Sequence, residues 1–334
     1  MRKPYIYIIM LSVLLLFLYS CNDEWKDELY TKMVSLKAPI NNEEVSAVYL
    51  RYKPEGKVTY KLPVIVSGSL KNDKDLNVRI GVDNDTLGIL NNSKYSTRTD
   101  LYYKQLPESF FELPSPTCFI PSGSNIETYD IDFKFVGLDL VEKWVLPLTI
   151  LEDPSYTMNM HKGWRKALLR IFPFNDYSGN YSSTGVSIYF GKETDKPMNV
   201  GTRNTFVVDE NKIFFYAGIT EELSEDRGQY KVKVEFEAPE TVGEDGTKKG
   251  KLIISAENPA IKFETLSDAT YEVREEMDKV QPHLLHRYTT IYLKYKYVDY
   301  TSASVELPYR CEGSMIMERK INILIPDEDQ AIQW

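Results

Sequence analysis

Paired carboxylates are the residues in this chain whose spacing most resembles catalytic machinery. Asp130 and Asp132, like Glu235 and Glu237, are pairs of the kind that serve as acid and base in glycoside hydrolases. Each pair alternates with apolar residues, which places both carboxylates on the solvent-exposed face of a β-strand. We therefore interpret the pairs as solvated sheet surface and predict that the protein is not an enzyme.

Metal and cofactor chemistry finds little support in the sequence. His283 and His286 are three residues apart and could bind one metal ion, but no third His or Cys follows at a suitable spacing. Asp83-Asn84-Asp85-Thr86-Leu87-Gly88 begins like a calcium loop yet lacks the later Glu, so a turn is the simpler interpretation. No Gly-rich phosphate loop or Ser-His-Asp order stands out. We predict no metal and no cofactor.

The first twenty residues are predicted to be a secretory signal peptide. Arg2 and Lys3 precede an apolar stretch, residues 6–17, that ends at Leu18-Tyr19-Ser20-Cys21. A membrane-spanning helix needs roughly 20 apolar residues, and this stretch is shorter. Residues 1–20 would be removed and Cys21 lipidated as the first mature residue; an uncleaved N-terminal anchor is the alternative.

Residues 21–30 are predicted to form a lipidated, acidic tether. Two or more acyl chains hold a protein on a membrane where one does not. Asp23, Glu24, Asp27 and Glu28 follow Cys21. Acidic residues in this position resemble the signal by which Bacteroidota-type bacteria send lipoproteins to the outer face of the outer membrane, and a merely solvated linker is the alternative. We expect an outer-membrane, lipid-anchored protein that faces the cell exterior.

Composition narrows the possible partners. Without the signal peptide the chain has 38 basic and 49 acidic residues, a net charge of −11, which argues against nucleic acid as a partner. Cys118 and Cys311 are expected to be unpaired, partly buried thiols, with a disulfide between the two domains as the alternative. The 24 Tyr against 3 His suit pleated sheets and polar ligand surfaces better than acid–base chemistry.

Alternation of apolar and polar residues predicts a chain made mainly of β-strands. It is clearest in residues 57–66, 129–135, 230–236 and 291–297, and residues 209–212 have the composition of a hairpin turn. A long loop is expected at 83–106. The best helix signal is Ala269 to Val280, closed by Pro282.

The predicted fold is all-β, with two tandem antiparallel domains that divide at Phe172-Pro173-Phe174-Asn175-Asp176. Residues 31–173 are predicted to form an Ig-like β-sandwich, and residues 174–334 a β-sandwich or barrel. Seven strands at sandwich-like spacing are expected in the first domain around Val34, Val48, Val64, Val78, Ile131, Leu146 and Leu169.

Motifs in both halves resemble domains of Bacteroidota surface lipoproteins. In the first half, Leu106-Pro107, Ile120-Pro121-Ser122-Gly123 and Trp144-Val145-Leu146-Pro147-Leu148 resemble an Ig-like domain of unknown function that also precedes the barrel of some family 18 endo-β-N-acetylglucosaminidases. The second half resembles a partner domain of unknown function through Phe214-Phe215-Tyr216-Ala217-Gly218 and Tyr295-Lys296-Tyr297-Val298-Asp299, with further matches at Glu318-Arg319-Lys320-Ile321-Asn322 and Ile325-Pro326-Asp327.

The resemblance implies a protein of a Sus-like polysaccharide-utilisation system. Such lipoproteins are usually encoded with a TonB-dependent transporter and a starch-utilisation-type binding lipoprotein, which would be the partners of this chain. The expected ligand is an oligosaccharide, with host N-glycans among the candidates.

Sugar recognition needs an aromatic ring against the apolar face of a pyranose and planar polar groups for the hydroxyls. Trp164, in a loop interpreted as lying at the domain junction, is near Asp176, Tyr177 and Tyr181 in sequence. We predict that these residues and the terminal Trp334 bind glycan. For each aromatic the alternative is a place in the core.

Two functions remain open from the sequence. The first is a non-catalytic surface glycan-binding protein whose site lies in residues 174–334, with the first domain as a spacer. The alternative is a structural or scaffolding lipoprotein that binds another protein of the uptake complex.

Overall fold

The structure is a computed structural model that describes residues 27–161, 163–191, 196–301 and 305–326. Cys21 and Trp334 lie outside the described residues. The lipidation and terminal-tryptophan assignments therefore stay predictions.

The first half of the chain is a sandwich of two β-sheets. One sheet has the order β1-β3-β8-β6, and the other has the order β2-β10-β9-β4-β7 with β5 added beside β9. Its strands are β1 (Met33–Leu36), β2 (Ser46–Arg51), β3 (Val58–Ser67), β4 (Leu76–Val82), β5 (Tyr103–Gln105), β6 (Phe111–Glu112), β7 (Thr117–Ile120), β8 (Ile126–Phe133), β9 (Lys143–Ile150) and β10 (Lys166–Phe174).

The sandwich confirms all seven strands predicted for this half. Inward-facing residues of both sheets, such as Leu62, Ile131, Leu146 and Leu169, are completely buried in one shared core, which is the pattern that alternation produces in a sandwich. Pairing is antiparallel except that β10–β2 and β5–β9 are parallel.

The segment predicted to be a long loop contains the helix α1 (Thr86–Tyr95), followed by a 3₁₀ turn at Thr99–Leu101; a second 3₁₀ turn lies at Glu108–Phe110. The Asp83 carboxylate accepts hydrogen bonds from the backbone N–H groups of Asp85 and Thr86 at 3.1 and 3.2 Å, and Lys166 Nζ lies 2.7 Å from it. The calcium-like sequence is therefore the turn that begins this helix.

The second half is a closed antiparallel barrel of eight strands. The order β11-β12-β13-β14-β16-β18-β19-β20 returns to β11, because β14 pairs with β16 and β20 with β11. Short β15 and β17 extend β16 and β19. The strands are β11 (Gly179–Phe190), β12 (Thr202–Asp209), β13 (Lys212–Tyr216), β14 (Lys231–Phe236), β15 (Thr241–Val242), β16 (Lys248–Ala256), β17 (Glu264–Thr265), β18 (Ala269–Met277), β19 (Leu284–Asp299) and β20 (Leu307–Asn322), with 3₁₀ turns at Arg227–Tyr230 and Pro259–Ile261.

The barrel settles two predictions about local structure. The hairpin predicted at 209–212 joins β12 to β13 and is confirmed. The helix predicted at 269–280 is wrong: Ala269, Tyr271 and Val273 point inward in alternation with polar residues, and the segment pairs on both sides, with β16 and β19. The alternation of inward and outward residues, together with a paired strand on each side, makes this segment a strand despite Pro282, which had suggested the end of a helix.

Tyrosine side chains fill much of the barrel interior. Their hydroxyls find polar partners: Tyr181 donates to the carbonyl of Tyr177 at 2.7 Å, Tyr230 to Asp299 at 2.8 Å, and Tyr271 to a backbone carbonyl at 2.7 Å. Buried tyrosine is stable when its hydroxyl is satisfied in this way. The high tyrosine content therefore reflects the barrel core to a large extent.

Both cysteines in the described part of the chain, Cys118 and Cys311, are free thiols, as predicted, and they are buried rather than partly buried. Burial raises the pKa of each thiol to about 11. They are thus inert core residues at neutral pH.

We expect Gly313→Ala to destabilise the barrel by about 2–4 kcal/mol. Gly313 has φ +136°, and a Cβ atom there would lie 2.0 Å from the carbonyl oxygen of Gly185 on the neighbouring strand. Thermal unfolding should show a clear fall in Tm. Gly201→Ala is the control, since a Cβ atom at Gly201 meets nothing within 4 Å. Equal Tm values for the two variants would contradict this account of β11–β20 packing.

Candidate functional site

A buried arginine connects the two domains. Arg227, in the turn before β14, donates from Nη2 to the carbonyls of Asp100 at 3.0 Å and Val141 at 3.2 Å, both in the sandwich. Its Nε also lies 3.3 Å from the Val141 carbonyl. Planar guanidinium groups suit such multiple contacts, so this side chain fixes the barrel against the sandwich loops.

Apolar packing surrounds that contact. Phe206, Phe214 and Tyr216 of the barrel form a cluster against Leu140 and Val141 of the sandwich. The ring centroids of Phe206 and Phe214 are 5.0 Å apart. Aromatic rings bury large areas, so the cluster adds a hydrophobic contribution to the polar contacts.

Ion pairs complete the junction on both sides. Lys231 Nζ lies 2.9 Å from Asp139 Oδ1. On the other side, Asp176 lies 3.0 Å from Arg51 Nη1 and 3.3 Å from Arg287 Nη1. Burial opposes ionisation of Asp176, but the two guanidinium groups outweigh it and lower the pKa of its carboxyl.

A polar cleft of about 510 Å³ opens between the two domains. We call it the junction cleft. Its barrel side is formed at one end of the barrel, where β12 begins and β13 ends, and its sandwich side comes from β9, β10 and the loop before β2. It is lined by Glu43, Lys143, Arg170, Val200, Gly201, Thr202, Arg203, Asn204, Tyr216, Thr220, Glu221, Glu222 and Leu223.

Planar polar groups on the barrel side are held in place by hydrogen bonds. Arg203 donates to the carbonyls of Tyr216 and Gly218, and Asn204 Nδ2 donates to the Glu222 carboxylate. Fixed guanidinium, amide and carboxylate groups are the side chains that recognise hydroxyl-rich ligands. The barrel side of the cleft is therefore pre-organised for polar recognition.

On the sandwich side, Arg170 links the cleft to an aromatic stack. Its guanidinium pairs with Glu43 and lies 4.4 Å from the Phe172 ring centroid. Tyr49 stacks on Phe172, with centroids 5.0 Å apart and planes 19° from parallel. A half-buried stack of this kind, next to charged groups, has the chemistry that sugars contact.

Lys143 has an unusual environment for a charged side chain of the junction cleft. It is half-buried, and its Nζ forms no ion pair or hydrogen bond with the residues that the structure describes. Its Nζ lies 5.0 Å from the ring centroid of Tyr95 and 6.0 Å from that of Tyr103. Burial, reinforced by the nearby charge of Arg170, lowers the pKa of its ammonium to about 8.

Trp164 does not lie beside the other predicted site residues that the structure describes. Trp164 is 45% exposed, in the turn between β9 and β10, whereas Asp176 follows the other end of β10. That strand has nine residues, and at about 3.3 Å per residue its ends lie about 27 Å apart. The placement of Trp164 at the domain junction was therefore wrong, because β10 runs away from the junction.

The other predicted residues are used in packing. Tyr177 stacks on Phe236 with centroids 3.7 Å apart, and burial raises the pKa of its hydroxyl to about 12. Tyr181 is fully buried in the barrel core, so it has no face for a ligand, and its prediction is corrected to a structural role. Asp176 joins the domains through its two arginines.

Sequence reasoning missed the residues that line the junction cleft. Lys143, Arg170 and Arg203 each lie in or at the end of a β-strand, where a basic residue is ordinary. The cue that was available is Lys143 beside Trp144-Val145-Leu146, a cation beginning a strand whose later residues are buried.

A second cleft, of about 620 Å³, lies entirely in the sandwich. We call it the sandwich cleft. Its lining residues are Ile40, Glu44, Thr86, Ile89, Leu90, Ser93, Met160, His161, Gly163, Arg165, Lys166 and Leu168. Ile89 and Met160 are 69% and 68% exposed. It is more apolar than the junction cleft.

Within the described ranges, no three His, Cys, Asp or Glu side chains are grouped so that they could hold a metal ion. His286 lies between two carboxylates, with Nδ1 2.5 Å from Glu318 and Nε2 2.9 Å from Asp278. In the same part of the chain, no helix has the length and hydrophobicity needed to cross a bilayer.

The fold and the junction cleft define a two-domain, all-β protein with an Ig-like sandwich and an eight-stranded barrel. A family model described as "Domain of unknown function (DUF4973)" matches residues 25–154, and one described as "-like, C-terminal" matches residues 165–316. No curated protein matches the sequence.

Solved structures place the chain more closely. A Bacteroides ovatus protein of unknown function is 40% identical, with 90% of this chain and 100% of that one covered and a TM-score of 0.79. A second Bacteroides ovatus protein of unknown function is 34% identical, with 93% and 97% covered and a TM-score of 0.80. A Bacteroides thetaiotaomicron auxiliary nutrient binding protein is 34% identical, with 89% and 100% covered and a TM-score of 0.75. The chain belongs to this family of Bacteroides proteins.

We expect Lys143→Met to raise Tm at pH 7. The pKa of Lys143 in the folded protein, about 8, lies below its usual 10.5, so folding at pH 7 must desolvate a charge that is solvated in the unfolded chain. This cost is complete below pH 8 and disappears as the pH rises towards 10.5. The gain in Tm from the substitution should shrink over the same range.

Lys104→Met is the matched control, because Lys104 is more exposed and pairs with Glu142 at 2.7 Å. It should give no increase in Tm at pH 7. A Tm difference for Lys143→Met that did not change between pH 7 and pH 10 would contradict the proposed desolvation of Lys143.

Proposed function

We propose that this chain is a non-catalytic glycan-binding protein that holds an oligosaccharide in the junction cleft. The observation that carries the proposal is the cleft itself, where fixed planar groups of the barrel face Arg170 and the neighbouring Tyr49–Phe172 stack. This combination supplies hydrogen bonds for hydroxyl groups and an apolar face nearby.

The family supports binding as the general role. The Bacteroides thetaiotaomicron relative is named an auxiliary nutrient binding protein, and neither matched family model nor the three solved relatives is described as catalytic. We extend nutrient binding to the present chain and take the nutrient to be a glycan.

The location that we propose for the site differs from the expectation from sequence. A site in residues 174–334 alone would make the sandwich a spacer. The junction cleft instead takes Glu43, Lys143 and Arg170 from the sandwich. We therefore propose that the sandwich contributes directly to binding.

The proposed setting is the outer face of the outer membrane. Cys21 would carry the lipid, and the acidic tether would separate the sandwich from the bilayer. Captured oligosaccharide would pass to a TonB-dependent transporter with its binding lipoprotein. This arrangement extends the resemblance of the chain to Sus-like lipoproteins.

A second candidate function is docking of another protein of the uptake complex. The sandwich cleft favours it, because Ile89 and Met160 are large apolar side chains left in solvent. Failure of the purified protein to bind any glycan on a broad array would favour this alternative over glycan binding.

We expect Gly201→Trp to abolish glycan binding without unfolding the protein. Gly201 lines the junction cleft, and a side chain built on it meets no atom within 4 Å at its Cβ position. The indole would then occupy the space proposed for the ligand. Binding is measured by calorimetry with a glycan selected on an array, and folding by thermal unfolding.

Gly88→Trp is the control for that substitution. Gly88 also has open space around its Cβ position but lies on α1 and does not line the junction cleft. It should leave the affinity unchanged. Undiminished binding by Gly201→Trp would place the site elsewhere.

We expect Cys21→Ala to remove fatty-acid labelling in cells, because the thiol is the proposed acyl acceptor. The precursor should still be exported but keep residues 1–20, which mass spectrometry can measure. Persistent labelling of this variant would refute the lipoprotein assignment.

A further inference from the structure

The charges of the junction cleft are not all paired with one another. Glu43 is held by Arg170, and Glu222 accepts a hydrogen bond from Asn204. Lys143 has no polar partner among the residues that the structure describes. A cation on the wall of the cleft is therefore available to a ligand.

Arg203, on the barrel side of the cleft, is a second positive charge that faces the same space. Its guanidinium donates from Nη1 and Nη2 to the carbonyls of Tyr216 and Gly218, and these partners do not neutralise its charge. Because carbonyl partners leave the guanidinium charged, it attracts an anion in the cleft, against the repulsion of the Glu221 and Glu222 carboxylates in the same lining.

An unpaired, half-buried ammonium group reduces the stability of the folded protein. Desolvation disfavours the charged form, and a partner anion would remove much of that penalty. Lys143 also faces Arg170 and Arg227, which repel it, and Glu43 and Glu222, which attract it from beyond ion-pair distance. The ring centroids of Tyr95 and Tyr103 lie 5.0 and 6.0 Å from its Nζ.

We propose that the junction cleft selects acidic glycans, and that Lys143 pairs with a carboxylate or sulfate group of the bound oligosaccharide. This inference rests on the proposed glycan-binding function and adds the class of ligand. A uronic acid and a sulfated sugar share the required chemistry, a single anionic group on a hydroxyl-rich ring.

The first experiment is an array that carries carboxylated, sulfated and neutral oligosaccharides, probed with the chain lacking residues 1–20. We expect binding to carboxylated or sulfated glycans. Hits on neutral glycans alone would overturn the acidic-ligand inference and leave the proposed function intact. Silence across the array would overturn both.

The second experiment compares each hit with its neutral counterpart by calorimetry. A carboxylated hit is compared with its methyl ester, and a sulfated hit with its desulfated form, which also distinguishes the two sources of charge. Removing the anionic group should weaken binding at least tenfold. Equal affinity for the two forms would contradict the inference.

The third experiment assigns the charge to Lys143. Lys143→Met should weaken binding of the acidic form at least tenfold and binding of the neutral form by a much smaller factor. Lys104→Met is the control, since Lys104 pairs with Glu142 outside the cleft lining. Equal losses in both variants would indicate only general electrostatic attraction and would overturn the role of Lys143.

A pH series gives a readout that a structural role would not produce. The pKa of Lys143 is about 8 in the free protein, so the ammonium is lost as the pH rises above that value. Affinity for the acidic glycan should fall roughly tenfold between pH 7 and pH 9. In Lys143→Met this fall should be absent, and a fall of equal size in the variant would contradict the assignment.

Discussion

The geometry of this protein depends on one buried arginine at the contact of its two domains. Arg227 is nearly excluded from solvent, and its guanidinium meets backbone carbonyls of Asp100 and Val141 in the sandwich. Burying this charge is tolerable only while those carbonyls stay in place. Separation of the domains would leave its N–H groups without these partners and would also expose the aromatic cluster around Phe214. The hydrogen bonds of Arg227 and the packing of the aromatic cluster therefore both favour one relative placement of sandwich and barrel.

That placement creates the junction cleft and determines its chemistry. The barrel interior is largely occupied by tyrosine side chains such as Tyr181 and Tyr297, so the proposed ligand binds outside the barrel, at the end that faces the sandwich. There the domains bring Lys143 and Arg203 to one cleft, although these residues are far apart in sequence. Lys143 is desolvated at a cost to folding, which is a common property of residues retained for binding. Under the proposed function, stability of the fold and recognition of the ligand would make opposite demands on this side chain.

The fold could be predicted from the sequence much further than the site could. The turn composition of residues 209–212 predicted the hairpin there. Alternation with a period of two depends only on which face of a strand is buried, and it predicted all seven sandwich strands. The same alternation runs through residues 269–277, which form a strand, but Pro282 after them suggested the end of a helix. The junction cleft depends on how two domains dock, which no local pattern encodes. Trp164 was misplaced because the direction of β10 relative to the junction is a property of sheet order. Arg203 was missed because its importance comes only from residues across the interface.

The most direct test of a fixed domain arrangement is a distance measured between the domains in solution. Lys61 on β3 and Lys249 on β16 are exposed, and both can be replaced by Cys and spin-labelled in a chain lacking residues 1–26, since Cys118 and Cys311 are buried. Double electron–electron resonance should give one narrow distance distribution. Arg227→Met should broaden it, because the bridge to the sandwich carbonyls is lost. A broad distribution in the unsubstituted protein, or one that Arg227→Met leaves unchanged, would contradict the central role of this contact.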